Sequence, residues 1–347
     1  MSPTSSEAPR PQALARAAAC AAEANPAAPV LLSVRHLRLD LRPRGWWPFR
    51  RPRGRLIDDL HLDLRAGEAL AVVGESDREL SALFHLMAGA RLPTSGSIRY
   101  FDPAKSARAP AQELSALPPG ARSRLRDEIR LIAPPVLTGR HGRRRLAEFL
   151  GTGRSDDSAA TRAQRVGLDD ALLGCRLREL DAESLRRAAL ARALIVPPRV
   201  LLCDGLFEDL DDGARARLAE LLRGLQQEFG FALVFGSSRL GDAAAAAGRT
   251  LVLYRGRVME QAATADLLHE PKHPYTRSLL EAQTAGAMRP RRPAPHGDDA
   301  PVMGCVFHPR CALREAACVR SVPHLRKTGA EHYAACHFVG AVEAMPR

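Results

Sequence analysis

The feature that most constrains the fold is a series of short, unbroken apolar runs spread along the chain. Runs without polar alternation are typical of strands buried on both faces, as in a parallel sheet. Between them, residues 183–195 and 213–229 carry apolar side chains at helical spacing. Strands that alternate with helices predict an α/β fold with helices packed on the sheet. The predicted strands are 29–41, 70–74, 129–133, 199–204, 231–236 and the hairpin 249–262, which turns at Gly256.

Composition predicts a large domain at 29–283 and a small module at 303–340. Residues 284–302 are rich in proline and glycine and predict a linker. Residues 1–28 are rich in alanine and proline and predict a disordered leader, since they lack the continuous apolar segment of a secretory signal. No apolar run approaches the roughly 18–20 residues that span a bilayer.

The net charge of +12 favours an anionic partner, and part of the excess is local. Residues 42–55 hold six arginines and both tryptophans of the chain. Tryptophan with arginine suits contact with phospholipid headgroups, whereas the alternative is a solvated, positively charged hairpin loop. Elsewhere arginines alternate with acidic residues, which does not favour binding of nucleic acid.

Three stretches resemble the ATP-binding subunits of ABC transporters, and specifically the oligopeptide/dipeptide importer branch. LAVVGES (70–76) resembles the start of that branch's phosphate loop, and VMEQAATADLLHEPKHPYTRSLLEA (258–282) its segment after the last hairpin. GCVFHPRC (304–311), with two further cysteines after it, resembles its C-terminal cysteine module. The resemblance implies an ABC-type nucleotide-binding domain, a mixed sheet with helices like that of phosphate-loop NTPases, with a helical subdomain at about 135–195 and the small cysteine module after it.

The resemblance also implies partners and a location. Members of this branch work as a pair of ATP-binding subunits docked on the permease subunits of a peptide importer. They lie at the inner, cytoplasmic face of the bacterial plasma membrane and serve a periplasmic peptide-binding protein indirectly. Nothing in the resemblance implies a nucleic-acid partner.

The phosphate loop departs from the family's pattern at its centre. Glycines there let backbone N–H groups close around the phosphates, a lysine adds a positive charge and a Ser/Thr hydroxyl binds Mg²⁺. The chain replaces this centre with four other residues. A carboxylate about 5 Å from a phosphate costs on the order of 3 kcal/mol at an effective dielectric of about 20, so the loop disfavours ATP with Mg²⁺ as a cofactor. The four replacements are Asp77, Arg78, Glu79 and Leu80.

The other nucleotide-binding motifs keep only some of the family's residue types. In the signature loop, Asp181, Ala182 and Glu183 stand where the family has Ser-Gly-Gly, and Leu41 stands for the aromatic residue that stacks on adenine. The positions that keep a nucleotide- or Mg²⁺-binding residue type are Gly74, Ser76, Ser81, Asp204 and Asp211.

The family's catalytic positions are also replaced. Gly205 stands for the glutamate that activates water, Ser237 for the switch histidine and Pro134 for the glutamine near Mg²⁺. A general base and a γ-phosphate sensor each contribute orders of magnitude to the rate, so no catalytic residue is expected here. The apolar strand positions between these motifs are kept, which predicts a non-catalytic subunit, a pseudo-ATPase.

Two alternatives stay open at this point. One is a working subunit that still binds ATP through Gly74, Ser81 and Asp204 and powers peptide import. The other is a regulatory or redox-responsive protein that uses the ABC fold outside transport.

The altered loop contains a capping-box pattern, because Ser76 is followed three residues later by Glu79. The N–H groups at a helix start are those that hold phosphate in the family. We therefore predict that the protein's own side chains occupy these N–H groups.

Four of the seven cysteines follow the linker with the spacing C-x5-C-x6-C-x17-C. In a chain without a secretory signal, this clustering favours a metal or cluster over disulfides. The resemblance implies a four-iron cluster, with zinc or unmetallated thiols as alternatives. The four are Cys305, Cys311, Cys318 and Cys336, whereas Cys20, Cys175 and Cys203 are predicted to be ordinary thiols.

Overall fold

The computed structural model describes residues 27–41, 54–102, 111–133, 142–151, 157–284 and 303–343. Several predictions fall wholly or largely outside these ranges and stay predictions. They concern the leader 1–28, the arginine–tryptophan stretch 42–55, the linker 284–302, Cys20 and Pro134.

The strands in the described part of the chain are β1 Val30–Asp40, β2 Arg55–Arg65, β3 Ala69–Gly74, β4 Ser95–Tyr100, β5 Gln112–Glu113, β6 Ile129–Ile132, β7 Val200–Cys203, β8 Ala232–Ser237, β9 Arg249–Tyr254, β10 Arg257–Ala263, β11 Arg326–Gly329 and β12 His332–Ala334. They form a small antiparallel sheet, β2-β1-β4-β5, and a large sheet, β11-β12-β10-β9-β3-β8-β7-β6. In the large sheet β9, β3, β8, β7 and β6 run parallel, while β10, β12 and β11 extend one side with antiparallel pairing.

The helices of the same part are α1 Asp77–Met87, α2 Pro119–Leu125, α3 Leu146–Gly151, α4 Ala159–Arg165, α5 Ala182–Ala193, α6 Asp212–Phe229, α7 Leu240–Ala246, α8 Thr264–His269, α9 Pro274–Thr284, α10 Ala316–Arg320 and α11 Val339–Glu343. Two 3₁₀ turns, Asp170–Gly174 and Leu177–Glu179, lie between α4 and α5. None of the described helices is both long and apolar enough to cross a membrane.

The prediction of a parallel sheet buried on both faces is confirmed by β3, whose six residues are all buried. Successive residues of this strand serve different cores. Ala71 and Val73 belong to one hydrophobic cluster, and Leu70 and Val72 to the other. Because side chains alternate across a strand, a run without polar residues fits a strand covered on both sides.

Sequence reasoning missed β2, β4 and the C-terminal strands. In β2 buried leucines alternate with polar residues, so the strand has one outward face and no unbroken apolar run. β1 and β2 are antiparallel partners on either side of residues 42–53, as a hairpin at that place requires.

The C-terminal cysteine segment joins the large sheet, since β12 pairs with β10. A buried carboxylate strengthens this junction. Glu260 of β10 is 0% exposed and accepts hydrogen bonds from Lys272 N–H (2.7 Å), His273 N–H (3.0 Å) and His332 Nε2 (2.6 Å). One side chain therefore ties β10 to the start of α9 and to β12.

Candidate functional site

A cleft lies at the carboxyl ends of β3, β7 and β8. Parallel strands deliver their last residues to the same edge of a sheet, which is where ligands bind in open α/β folds. The residues that line the cleft are Asp77, Leu80, Asp204, Gly205, Phe207, Glu208, Arg215, Gly236, Ser237 and Ser238.

The start of α1 is held by Ser76. This residue is the N-cap of the helix, and its hydroxyl accepts a hydrogen bond from Glu79 N–H (3.4 Å). Only Glu75 and Ser76 separate the last residue of β3 from the helix. The serine half of the predicted capping box is confirmed, and one of the free N–H groups that a phosphate would use is engaged by the protein itself.

The glutamate of the predicted capping box has another partner. Glu79 Oε2 accepts a hydrogen bond from Gly256 N–H (3.0 Å) in the turn between β9 and β10. The carboxylate thus links the first turn of α1 to the hairpin. The next residue, Leu80, is 4% exposed and packs in the apolar cluster between the helix and the sheet.

Gly74 is required by close packing of the strands. A Cβ at this position would lie 2.9 Å from the carbonyl oxygen of Leu253 in β9. The glycine that resembles the first residue of a phosphate loop therefore also has a structural reason to be there.

Ser81 and Asp204, predicted at the vestigial Mg²⁺ position, lie together in the structure. The Ser81 side chain is hydrogen-bonded to the Asp204 carboxyl. Burial raises the pKa of Asp204, and the charge of Asp77 adds to this rise against the opposing effects of Ser81 and His85. The hydroxyl and the carboxyl of the predicted pair are therefore close to each other.

Two further carboxylates face the same cleft, Asp77 and Glu208. Burial raises the pKa of Glu208, and the charges of Asp77 and Asp204 raise it further. Three neighbouring acidic groups make the cleft unfavourable for a triphosphate, because each added negative charge meets like charges at short range.

The described positions predicted to replace catalytic residues, Gly205 and Ser237, have structural roles. Gly205 has φ +60°, a left-handed conformation that disfavours residues with a side chain. Ser237 is buried, and its hydroxyl donates to Asp242 Oδ2 (2.5 Å). Arg215 Nη1 donates to the same oxygen (2.7 Å), so the serine belongs to a hydrogen-bond network in the wall of the cleft.

The signature loop begins α5 with acidic residues. Asp181 is the N-cap, and its Oδ1 accepts from Ser184 N–H (2.8 Å). Glu183 accepts from Arg217 Nη2 (2.6 Å) and Arg187 Nη2 (2.8 Å). The hydrogen bond from Arg217, with that from Arg187, lowers the pKa of Glu183 to about 2. The helix start predicted to be the signature loop therefore carries the chain's own carboxylates.

The remaining predicted nucleotide positions are also structural. Asp211 is the N-cap of α6, and its Oδ1 accepts from Ala214 N–H (2.8 Å). Leu41 is half-buried against the apolar cluster that contains β1 and β2.

The four C-terminal cysteines are close enough to interact electrostatically. The thiols of Cys318 and Cys336 raise the pKa of Cys305, although burial is the larger cause. Burial raises the pKa of Cys311 to about 11, with smaller contributions from the other three thiols. Cys305 N–H also donates to the Cys318 carbonyl (2.8 Å). The segment gathers four largely buried thiols at one place.

The cysteine segment also contacts the turn between β3 and α1. Arg310 Nη1 and Nη2 donate to the two carboxylate oxygens of Glu75 (2.8 and 3.1 Å). Arg310 also donates to the hydroxyl of Tyr254 (3.2 Å) at the end of β9. This bidentate pair joins the residue just before the Ser76 cap to the C-terminal segment.

Two regions of the chain match known protein families. Residues 57–207 match the ABC transporter family, and residues 259–318 match the C-terminal region of oligopeptide/dipeptide transporters. The di/tripeptide transport ATP-binding protein DppF of Pseudomonas aeruginosa is 30% identical over 299 residues, covering 82% of this chain and 90% of that protein. The chain belongs to the family of ATP-binding subunits of peptide ABC transporters.

Other relatives agree with this family. The oligopeptide transport ATP-binding protein OppF of Escherichia coli is 27% identical over 321 residues, 85% of this chain and 92% of its own length. A dimeric bacterial ABC transporter cassette matches with a TM-score of 0.56 at 17% identity, covering 67% of this chain and 99% of that one. The structural likeness shows the ABC cassette fold, as predicted from the sequence.

Within this ABC cassette, the structure brings together some predicted site residues and not others. Ser81 lies beside Asp204 at the cleft, Gly74 and Ser76 lie at the turn from β3 into α1, and Asp211 caps α6. Sequence reasoning missed two features. Glu208 was not predicted because the sequence interpretation placed the family's glutamate at Gly205, and the Arg310–Glu75 pair joins residues far apart in the chain.

The histidine of the HPYT segment predicts how stability depends on pH. Burial lowers the pKa of His273 to about 3, against a weaker opposing hydrogen bond to the Ala335 backbone. Its Nδ1 accepts from Tyr275 N–H (3.0 Å), which requires a neutral ring. Below the ordinary histidine pKa of 6.5 the unfolded chain binds a proton that the folded protein does not, so stability falls with pH between 6.5 and about 3.

We expect His273 alone to lower the free energy of unfolding by about 2 kcal/mol between about pH 7 and pH 5. Urea unfolding followed by circular dichroism at several pH values measures this change. His273→Asn keeps an acceptor for Tyr275 N–H and removes the titrating group, so its pH dependence should be shallower. Parallel curves for the two proteins would contradict the assignment.

Proposed function

We propose that this chain is a non-catalytic ATP-binding-cassette subunit of a bacterial peptide or dipeptide importer. It pairs with a second cassette subunit and docks on the permease subunits at the cytoplasmic face of the plasma membrane. A periplasmic peptide-binding protein supplies the cargo to the permeases and is an indirect partner. The family and the cassette fold support the transport role.

The proposal that the subunit is non-catalytic rests on one observation: side chains of the chain itself cap the starts of two helices. At α1 the Ser76 hydroxyl holds an N–H group, and at α5 the Asp181 carboxylate does the same. In a working cassette these helix starts bind phosphate, one in its own site and one in the partner's. Here side chains of the chain itself supply the acceptors that phosphate oxygens would provide.

Electrostatics supports the same conclusion. Asp77, Asp204 and Glu208 face the cleft where a triphosphate would lie, and the loop lacks the phosphate-binding lysine. Mg²⁺ could offset part of the repulsion through Ser81 and Asp204. It would not restore the lysine or a general base, since Gly205 and Ser237 offer neither.

Pairing with an intact cassette leaves both shared sites incomplete. Each ATP in such a pair lies between the phosphate loop of one subunit and the signature loop of the other. This chain would give one site an altered phosphate loop and the other a signature loop with Asp181 and Glu183. We therefore assign the subunit a structural or inhibitory part in the importer.

We also propose that the four clustered cysteines hold an iron–sulfur cluster with a structural role. Three of these cysteines are buried, and the thiols lie close enough together to raise one another's pKa, which supports a shared ligand. Iron analysis and visible absorbance of anaerobically purified protein test this; no iron and no absorbance would count against it.

Calorimetric titration of the purified full chain with ATP, with and without Mg²⁺, tests the non-catalytic assignment. We expect a dissociation constant weaker than about 1 mM, because the phosphate contacts are replaced. Phosphate release should stay at the level of a protein-free control. A micromolar dissociation constant would sink the proposal and favour the working-ATPase alternative.

Co-purification separates the transport role from a free-standing regulatory one. A tagged chain expressed with an intact cassette of the same family and its two permease subunits should be recovered in the membrane fraction with them. Recovery of the chain alone, in the soluble fraction, would overturn the importer assignment without bearing on ATP binding.

A further inference from the structure

Three polar side chains converge on the outward face of the small sheet. His36 lies in β1, and Asp59 and His61 lie in the neighbouring edge strand β2. Leu37 and Leu60, beside them in the two strands, are 0% exposed. The apolar residues face the core, so the three polar side chains share the opposite, solvent-facing side.

The backbone directs these side chains toward one another. His36 has φ +49° and Asp59 has φ +59°, conformations that are uncommon for residues with a side chain. The pairing of β1 with β2 shifts register between Val34 and Leu37, which is where His36 lies. An irregularity of this kind re-aims a side chain out of the regular pleat.

The distances are close to those of a metal site. His36 Nδ1 lies 3.0 Å and His61 Nε2 3.7 Å from Asp59 Oδ1, and the three ligand atoms all lie within 4.8 Å of one another. A tetrahedral zinc ion with bonds of about 2.0–2.1 Å holds its ligands about 3.3 Å apart. Small rotations of the side chains would therefore close the set around one ion.

The chemistry of the three ligands selects the kind of ion. Two imidazole nitrogens with one carboxylate oxygen suit zinc and similar borderline divalent cations, whereas Mg²⁺ and Ca²⁺ prefer oxygen ligands only. The side chains of His36, Asp59 and His61 are 73%, 40% and 39% exposed, so water can fill the fourth position.

Neighbouring charged groups have other partners. Asp58 is paired with Arg55 and Arg257, and Asp63 with Arg35. Arg38 Nη2 lies 3.8 Å from Asp59 Oδ1, so an ion would compete with this exposed pair for the carboxylate. Exposed pairs at such distances contribute little, and the competition is weak.

We infer that His36, Asp59 and His61 form a binding site for zinc(II) or a similar borderline divalent cation, which joins β1 to the edge strand β2. The site is distinct from the cysteine segment and from the cleft. A bound ion would fasten the edge strand next to Asp58, whose backbone N–H donates to Gly256 O in the β9–β10 turn (2.9 Å).

Cobalt(II) titration of the metal-depleted full chain tests the site, because cobalt reports on its ligands. Nitrogen and oxygen ligands give only weak visible bands, whereas thiolates add intense near-ultraviolet absorption. We expect one equivalent with the nitrogen/oxygen spectrum in the native protein, displaced by zinc(II). The double variant His36→Ala/His61→Ala should lose it and bind one zinc fewer by elemental analysis.

The matched control removes two exposed histidines elsewhere, His269→Ala/His324→Ala, and should bind like the native protein. Asp59→Asn, which is close in size to the native residue, should weaken cobalt binding at least tenfold and covers the case in which the double variant fails to fold. Equal metal content in the native protein and both site variants, or a spectrum with thiolate bands only, would overturn the site.

Discussion

Replacing Glu260 by alanine is expected to lower the free energy of unfolding by about 3–5 kcal/mol, the range for removing one member of a buried charged network. The carboxylate is 0% exposed and accepts from Lys272 N–H, His273 N–H and His332 Nε2. Alanine would leave these donors in the interior without their acceptor, and each unpaired donor costs about 1–3 kcal/mol. The measurement is urea unfolding followed by circular dichroism.

Two further variants make this result specific. Glu260→Gln keeps the volume and one acceptor oxygen, so its loss should lie between those of the native protein and the alanine variant. Glu331→Ala removes an exposed carboxylate, paired at 3.4 Å with Lys327 Nζ, and should change stability by less than about 1 kcal/mol. A loss below about 1 kcal/mol for Glu260→Ala would show that the network does not hold the C-terminal segment to the sheet.

Restoring the phosphate loop is the second large effect. The variant Asp77→Gly/Glu79→Gly/Leu80→Lys should bind ATP about 10- to 100-fold more tightly than the native chain. It removes two carboxylates, each worth on the order of 3 kcal/mol of repulsion at about 5 Å, and it adds the missing positive charge. It also frees the loop from Gly256, the partner of Glu79.

The control Asp77→Gly/Glu79→Gly/Leu80→Met has the same glycines without the lysine, so it isolates the contribution of the charge. Neither variant should hydrolyse ATP above background, because Gly205 and Ser237 are unchanged. Leu80 is 4% exposed, so the lysine variant should also be less stable in the absence of ATP. No gain in affinity for the lysine variant would argue against the idea that side chains of the chain have replaced the phosphate.

Local signals in the sequence were sufficient for much of the fold. The unbroken apolar runs predicted β3, β7 and β8, because a strand covered on both faces leaves no polar position. The pattern Ser76-x-x-Glu79 predicted the serine cap of α1, since capping depends on residues within one turn. Motif resemblance gave the family from short stretches whose residues contact one another or one ligand.

The features that the sequence did not predict depend on contacts between residues far apart in the chain. The sequence could not show that Glu79 bonds to Gly256, that Arg310 pairs with Glu75, or that β12 extends the sheet through β10. Each of these contacts joins residues brought together only when the sheet order is set. The strand β2 was missed because its polar residues alternate with apolar ones. Only the pairing of β2 with β1 shows that polar side chains of the two strands lie on one outward face.

The sequence by itself therefore determined the family and the buried strands, because these depend on residue types at fixed local spacing. Only the tertiary structure decided which side chains meet at the cleft and on the outward face of the small sheet. The acidic cleft of Asp77, Asp204 and Glu208, and the approach of His36 to His61 across two strands, depend on which segments pack side by side. This packing buries the apolar faces of the whole chain together, so it cannot be predicted from any short stretch of sequence.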